Sequence, residues 1–183
     1  MRRVLLTLGA LFLSVPAIAG SLAGVTLPDT VSVNGTDLVL NGMGLRKKAI
    51  FKVYVGALYL PAKSSDATAV IKLDAPKRMV MHFVRDVGKD KIAEGWREGF
   101  ANNSPASMPA LQKQLDEFAA LWQDMADGDE AVMTYVPGTG LKLEIRGKEL
   151  GLIQGKAFAD AVLACWLGPH PPSEDLRTGV LGQ

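Results

Sequence analysis

Cysteine occurs once, at Cys165, and histidine twice, at His82 and His170. One cysteine excludes an intramolecular disulfide framework. With two histidines it also leaves too few ligands for a structural zinc site, and no metal site is expected. An excess of charge is lacking as well. Twenty Lys and Arg stand against 19 Asp and Glu, a net charge of +1. That balance leaves no electrostatic footprint for nucleic acid, and no such partner is expected. The chain has no Gly-x-Ser-x-Gly elbow and no phosphate loop. Gly42-Met43-Gly44 lacks the third glycine and the following helix of a dinucleotide fingerprint. No cofactor is expected; a haem would need an axial ligand such as His82, His170 or Tyr54, and none sits in a distinctive motif. Internal repeats and long linkers are absent too.

What is present is an ordinary globular composition, 48% hydrophobic and 21% charged over 183 residues. The first residues depart from it. Arg2 and Arg3 precede an apolar run from Val4 to Val15, then Pro16 and Ala17-Ile18-Ala19 before Gly20. This basic, apolar, small-x-small order predicts a cleavable signal peptide over 1–19 and a single domain over 20–183. The run is short for a bilayer crossing, so no membrane span is expected after cleavage. The simple layout predicts a periplasmic protein, near neutral once Arg2 and Arg3 are removed.

Past the signal, Val25 to Val33 reads as one strand with Pro28 at its start or edge. Asn34-Gly35 predicts a tight hairpin into Leu38–Leu40. Gly42 and Gly44 predict a bulge or a close backbone approach. Ala49 to Leu60 is the richest stretch in aromatic and β-branched types and predicts a strand ended by Pro61. A short helix over Asp66–Leu73, an inner strand over Met79–Val84 and a helix over Lys89–Asn102 follow. Ile92, Trp96 and Phe100 share one face of that helix. A further helix starts at Ser107-Met108-Pro109 and extends to about Ala126, with Leu111, Leu115, Phe118, Trp122 and Met125 as its stripe. Strands over Ala131–Val136, Leu141–Arg146 and Glu149–Ile153 lead to a helix faced by Phe158, Val162, Cys165 and Trp166. Ser173 is a cap for a short turn in the tail. Strands and helices come in blocks, which predicts α+β with a largely antiparallel sheet.

Chemistry is sparse. His82 has no serine and carboxylate assigned to it, and is expected to make an ordinary hydrogen bond. Cys165 lies on an apolar stripe without a cation nearby, the setting of an inert core thiol. Lys47, Lys48 and Lys52 form a basic cluster or a solvated strand end. In an uninterrupted strand, Arg46, Lys48, Ile50, Lys52 and Tyr54 would share one mixed face, and Ala49, Phe51, Val53, Val55 and Ala57 an apolar core face. An arginine beside a tyrosine hydroxyl is a good receiver for a carboxylate or phenolate. Eight residues of straight strand, however, span roughly 26 Å. Arg46 and Tyr54 could share a ligand only across a bend or turn.

The segments Leu40-Asn41-Gly42-Met43-Gly44-Leu45-Arg46 and Phe51-Lys52-Val53-Tyr54-Val55-Gly56-Ala57-Leu58-Tyr59-Leu60 resemble the chalcone isomerase-like family, its secreted bacterial branch most of all. Val84-Arg85-Asp86-Val87, Trp166-Leu167-Gly168 and Leu181-Gly182 fit the same pattern. The resemblance implies an open β-sandwich: a large antiparallel sheet, helices packed on one side and a ligand cleft between. For the ring-closing plant enzymes it implies four site positions. Arg46 matches the arginine, while Tyr54 stands at the threonine, and Lys91 and Glu98 stand at or near the tyrosine and asparagine. Three of four are substituted, so catalytic residues are not assigned and catalysis is not expected. For the fatty-acid-binding members the resemblance implies an arginine and a tyrosine on the carboxylate, and Arg46 and Tyr54 match that pair.

The expectation is therefore a non-catalytic periplasmic binding protein. It would hold a small apolar or amphipathic ligand, such as a fatty acid, with Arg46 at the acidic head group and Tyr54 assisting. Met43, Phe51, Met79, Met81, Trp96, Phe100 and Trp122 are candidates for its apolar walls, with plain core packing as the alternative for each. The alternatives are an isomerase or lyase of unknown substrate, with Lys91 or Glu98 as a second pocket group, and a partner-binding protein without a small ligand.

Overall fold

The computed structural model describes residues 18–183. The basic start and apolar run of the predicted signal fall on residues 1–17 and lie outside the described residues, and so do the side chains of Ile18 and Ala19. The predicted cut after Ala19 falls inside the first strand, β1 (Ile18–Leu22).

The stretch expected as one strand from Val25 is two, β2 (Val25–Pro28) and β3 (Thr30–Val33), in different sheets. Pro28 lacks an N–H, and the chain changes sheets at Pro28-Asp29. β1 and β2 form a two-stranded ribbon. β3 opens a seven-stranded sheet whose strands lie in chain order: β3, β4 (Thr36–Lys48), β5 (Phe51–Leu60), β6 (Lys77–Phe83), β7 (Glu130–Val136), β8 (Gly140–Ile145) and β9 (Lys148–Ile153). Every neighbouring pair is antiparallel. Asn34 and Gly35 make the expected tight turn, both at positive φ.

The helices are α1 (Ala67–Lys72), α2 (Lys89–Asn103), α3 (Met108–Ala120), α4 (Lys156–Leu167) and α5 (Glu174–Val180). They cover one face of the sheet, where Leu58, Met79, Phe83, Met133 and Leu143 meet Phe100, Phe118, Phe158 and Trp166. The opposite face carries a second apolar layer in which Val25 and Leu27 of the ribbon cover Leu38, Val55, Ala57 and Tyr59. The architecture is thus α+β, a large antiparallel sheet with helices on one side, as expected. β5 is buried on both faces, whereas β8 alternates buried and partly exposed positions.

Three further expected elements differ. α3 ends at Ala120 rather than near Ala126, yet Trp122 and Met125 stay buried because the chain after the helix bridges back to Val87. The tail is a full helix, α5, capped by the Ser173 hydroxyl. The stretch from Ala49 is a turn before it is a strand. Ala49, at φ +53°, and Ile50 reverse the chain between Lys48 and Phe51.

The glycine motif seats α5. Asn41 bulges out of β4, and its buried amide donates to the carbonyls of Ser64 and Val180 while accepting from the Ser64 N–H. A Cβ at Gly42 or Gly44 would collide with the α5 backbone at Gly179 or Leu176. Bulge and close approach, offered as alternatives by the sequence, are both present.

Candidate functional site

The β4–β5 reversal creates the site. Arg46 and Tyr54 are directly paired across the two strands, so their side chains share the helix-covered face. The straight-strand alignment of Arg46, Lys48, Ile50, Lys52 and Tyr54 is therefore overturned: the first two lie on β4 and the last two on β5. The expected apolar face is broken at the same place, since Ala49 is in the turn and Phe51 is 54% exposed.

Beside this pair lies a cleft of about 630 Å³ between the sheet, α2 and α4. That is a common size for a small-molecule pocket. Tyr54, Met81 and Phe83 form its floor. Ile92, Trp96 and Gly99 of α2 and Cys165 and Trp166 of α4 form its walls. Its mouth is polar, with Arg46, Lys48, Lys91, Glu94, Glu98 and His170. Met81 and Trp96 therefore line the cleft, as anticipated. Met79, Phe100 and Trp122 belong to the core away from the cleft, Met43 packs on the opposite sheet face, and Phe51 is on the surface. Met79, Phe100 and Trp122 fill gaps between elements rather than facing the opening.

Tyr54 is buried, and its hydroxyl accepts a 2.8 Å hydrogen bond from the Trp166 indole N–H. Burial pushes its pKa up to about 12, against the opposing effects of the Arg46 charge and the Trp166 bond. The hydroxyl therefore keeps its proton at neutral pH. With Trp166 on its oxygen, it retains that O–H to donate. Arg46 donates one guanidinium N–H to the Pro172 carbonyl at 3.2 Å, which anchors it to the loop between α4 and α5. No carboxylate lies within 4 Å of it among the described residues. An uncompensated guanidinium and a neutral hydroxyl donor on paired strands, at a cleft with an apolar floor and a polar mouth, suit a carboxylate or phenolate.

Trp96 adds a donor the sequence did not flag. It is 5% exposed, lines the cleft, and its indole N–H has no hydrogen-bond partner. Trp166, which orients Tyr54, was also missed. On sequence both read as apolar stripe; the packing gives the Trp166 N–H the Tyr54 hydroxyl and leaves the Trp96 N–H buried without a partner. Lys91 and Glu98 do reach the cleft, at its solvent-exposed rim. Lys91 is held by Glu94 at 2.8 Å, and that bond and charge raise its pKa. His82 lies across the sheet from the cleft, with Nδ1 2.9 Å from a Glu130 carboxylate oxygen. His170 lines the mouth, where its backbone is tied to Asn103. Cys165 is a neutral wall: burial pushes its thiol pKa up, and Sγ sits 3.4 Å from the Ala161 carbonyl. Among the described residues no group of three His, Cys, Asp or Glu could hold a metal ion, and no helix is long and apolar enough to cross a membrane.

The family model described as chalcone isomerase-like matches residues 19–182. The chain belongs to the chalcone isomerase-like family. Among solved structures it is similar to a fatty-acid-binding protein of Arabidopsis thaliana. The TM-score is 0.67 and the sequence identity 16%, over 86% of this chain and 92% of the plant protein. No curated protein sequence matches the chain. At that identity the likeness establishes the fold. In this member of the family the paired strands β4 and β5, not one long strand, present Arg46 and Tyr54.

Proposed function

We propose that this chalcone isomerase-like protein is a non-catalytic binding protein for a small amphipathic acid, a fatty acid or a molecule of similar shape. Arg46 holds the acidic head group, Tyr54 donates a second hydrogen bond, and the apolar tail lies against Met81, Phe83, Ile92 and Trp96. The observation that carries this reading is the cross-strand pairing of an unneutralised Arg46 at the cleft mouth with a protonated Tyr54 on its apolar floor. The fold likeness to a plant fatty-acid-binding protein supports the same chemistry. We further place the protein in the secreted bacterial branch and in the periplasm, with cleavage after Ala19. Residues 1–19 carry the pattern that supports this. N-terminal sequencing of protein recovered from a periplasmic fraction checks it; an intact Met1 or a cytoplasmic fraction overturns it.

Native mass spectrometry of purified protein, followed by organic extraction, tests the ligand. The expected result is a co-purifying acid, or binding from a panel of fatty acids, flavonoids and haem, that is lost in Arg46→Ala. Charge-assisted hydrogen bonds contribute roughly 1.5–3 kcal/mol, so affinity should fall about 10- to 100-fold. Ligand retained undiminished by Arg46→Ala removes Arg46 from the site. A chain that binds nothing in the panel leaves partner binding as the reading, and turnover of a chalcone would make it an isomerase.

A further inference from the structure

Beyond the cleft, the turn that creates it carries an unexplained surface. Ile50 is 87% exposed and Phe51 54% exposed, the two most exposed of the large hydrophobic side chains among the described residues. They are consecutive and sit at the tip of the β4–β5 hairpin. Around them stand Lys48, Lys52 and Arg85, all exposed. None of the three has a carboxylate within 4 Å among the described residues, although Lys48 lies close enough to Glu94 to lower its pKa. The Arg85 guanidinium lies 4.7 Å from the centre of the Phe51 ring. Lys47, the remaining cation of the hairpin end, is turned toward Asp175 at 3.7 Å.

An apolar point ringed by long cationic side chains is poorly suited to a protein partner. A stable protein interface covers about 1,000 Å² or more, and two side chains supply a small part of that. A lipid surface needs only shallow insertion. Lys and Arg stems lie along apolar surface while their charges reach headgroup phosphates, and anionic headgroups attract such a cluster. The tip is also continuous with the cleft mouth, because Lys48 and Ala49 line that mouth. We propose that the β4–β5 tip docks the protein on an anionic bilayer, Ile50 and Phe51 entering the headgroup layer and Lys48, Lys52 and Arg85 resting on lipid phosphates. The cleft mouth then faces the lipid. This docking stands independently of what fills the cleft.

The test places an environment-sensitive fluorophore at Ile50→Cys; buried Cys165 does not compete for label. The probes are vesicles of phosphatidylcholine alone and vesicles of equimolar phosphatidylcholine and phosphatidylglycerol. A blue shift and brightening are expected on the anionic vesicles only, and high salt should reverse them. The same label at Leu152→Cys, on β9, should not respond. A response confined to position 50 also separates tip docking from insertion of the apolar segment near the N-terminus. Lys48→Glu with Lys52→Glu should weaken vesicle binding by about tenfold or more, with an unchanged circular dichroism spectrum. Arg46→Ala should lose the cleft ligand and keep the vesicle response, so the two proposals fail separately. A label at position 50 that stays in water on anionic vesicles overturns the docking. So does an equal response at position 152, or a response to protein concentration without lipid, which would mark an interface between copies of the chain.

Discussion

At the residue scale, the proposed site is two donors and the groups that hold them. Arg46 is anchored by the Pro172 carbonyl, and Tyr54 by the Trp166 indole. Each anchor uses one hydrogen-bonding position and leaves another for a ligand. Tyr54→Phe therefore has two separable consequences. It strands the Trp166 N–H in the core, at a cost of about 1–3 kcal/mol in stability. It also removes the hydroxyl donor, so affinity for an acidic ligand should drop about tenfold. Urea unfolding and a ligand titration read the two effects independently. Unchanged stability would mean that the Trp166 bond contributes nothing, and unchanged affinity would exclude Tyr54 from the head-group site. Arg46 and Tyr54 were legible as residue types in the sequence. Their meeting was not, because no Gly or Asn marks the Ala49-Ile50 turn and a strand pattern ran straight through it.

Two glycine environments set the predictions at the element scale. Gly44 lies under the α5 backbone, and a methyl group there must push the helix away. Gly95 lies in α2 with open space where an alanine methyl group would sit. Gly44→Ala should destabilise by about 1–3 kcal/mol, the usual range for overpacking. Gly95→Ala should stabilise by about 0.5–1 kcal/mol, since alanine is the better helix former. Chemical denaturation of the two variants side by side checks the contrast; effects of the same sign would refute it. The sequence flagged the Gly42–Gly44 segment as a close approach but could not name what approaches. Its partner, α5, lies some 130 residues further on and had only the Ser173 cap to announce it.

Across the whole molecule, the buried ionisable groups set a pH profile. Lys77 is 1% exposed, bonded to the Val70 and Ile71 carbonyls, with Asp160 3.8 Å away. Burial lowers its pKa to about 8 in spite of that carboxylate. Between that value and the ordinary 10.5 the unfolded chain binds the extra proton, so this residue makes stability rise with pH from about 8 upward. Cys165 acts oppositely: its raised pKa means the unfolded thiol ionises first, and its contribution to stability falls above about pH 9. Tyr54, Tyr59 and Tyr135, each raised to about 12, add the same loss above pH 10. Stability at pH 7, 8 and 9, compared between the wild type and Lys77→Met, isolates the lysine. The wild type should gain relative to the variant as pH rises, and parallel profiles would assign Lys77 no such role.

The sequence alone determined most of the elements, the antiparallel α+β class, the Asn34-Gly35 turn and the inert setting of Cys165. These follow from local pattern: apolar spacing, turn chemistry and caps are written in neighbouring residues. The tertiary structure alone decided which side chains meet. It folded Arg46 onto Tyr54 and seated α5 on the glycines of β4. It sent Met79, Phe100 and Trp122 to the core and left Ile50 and Phe51 in the open. Such outcomes depend on where a strand reverses and on what packs above it. One residue at positive φ with no turn signature, Ala49, was enough to bring Arg46 to Tyr54 and to leave Ile50 and Phe51 in the open.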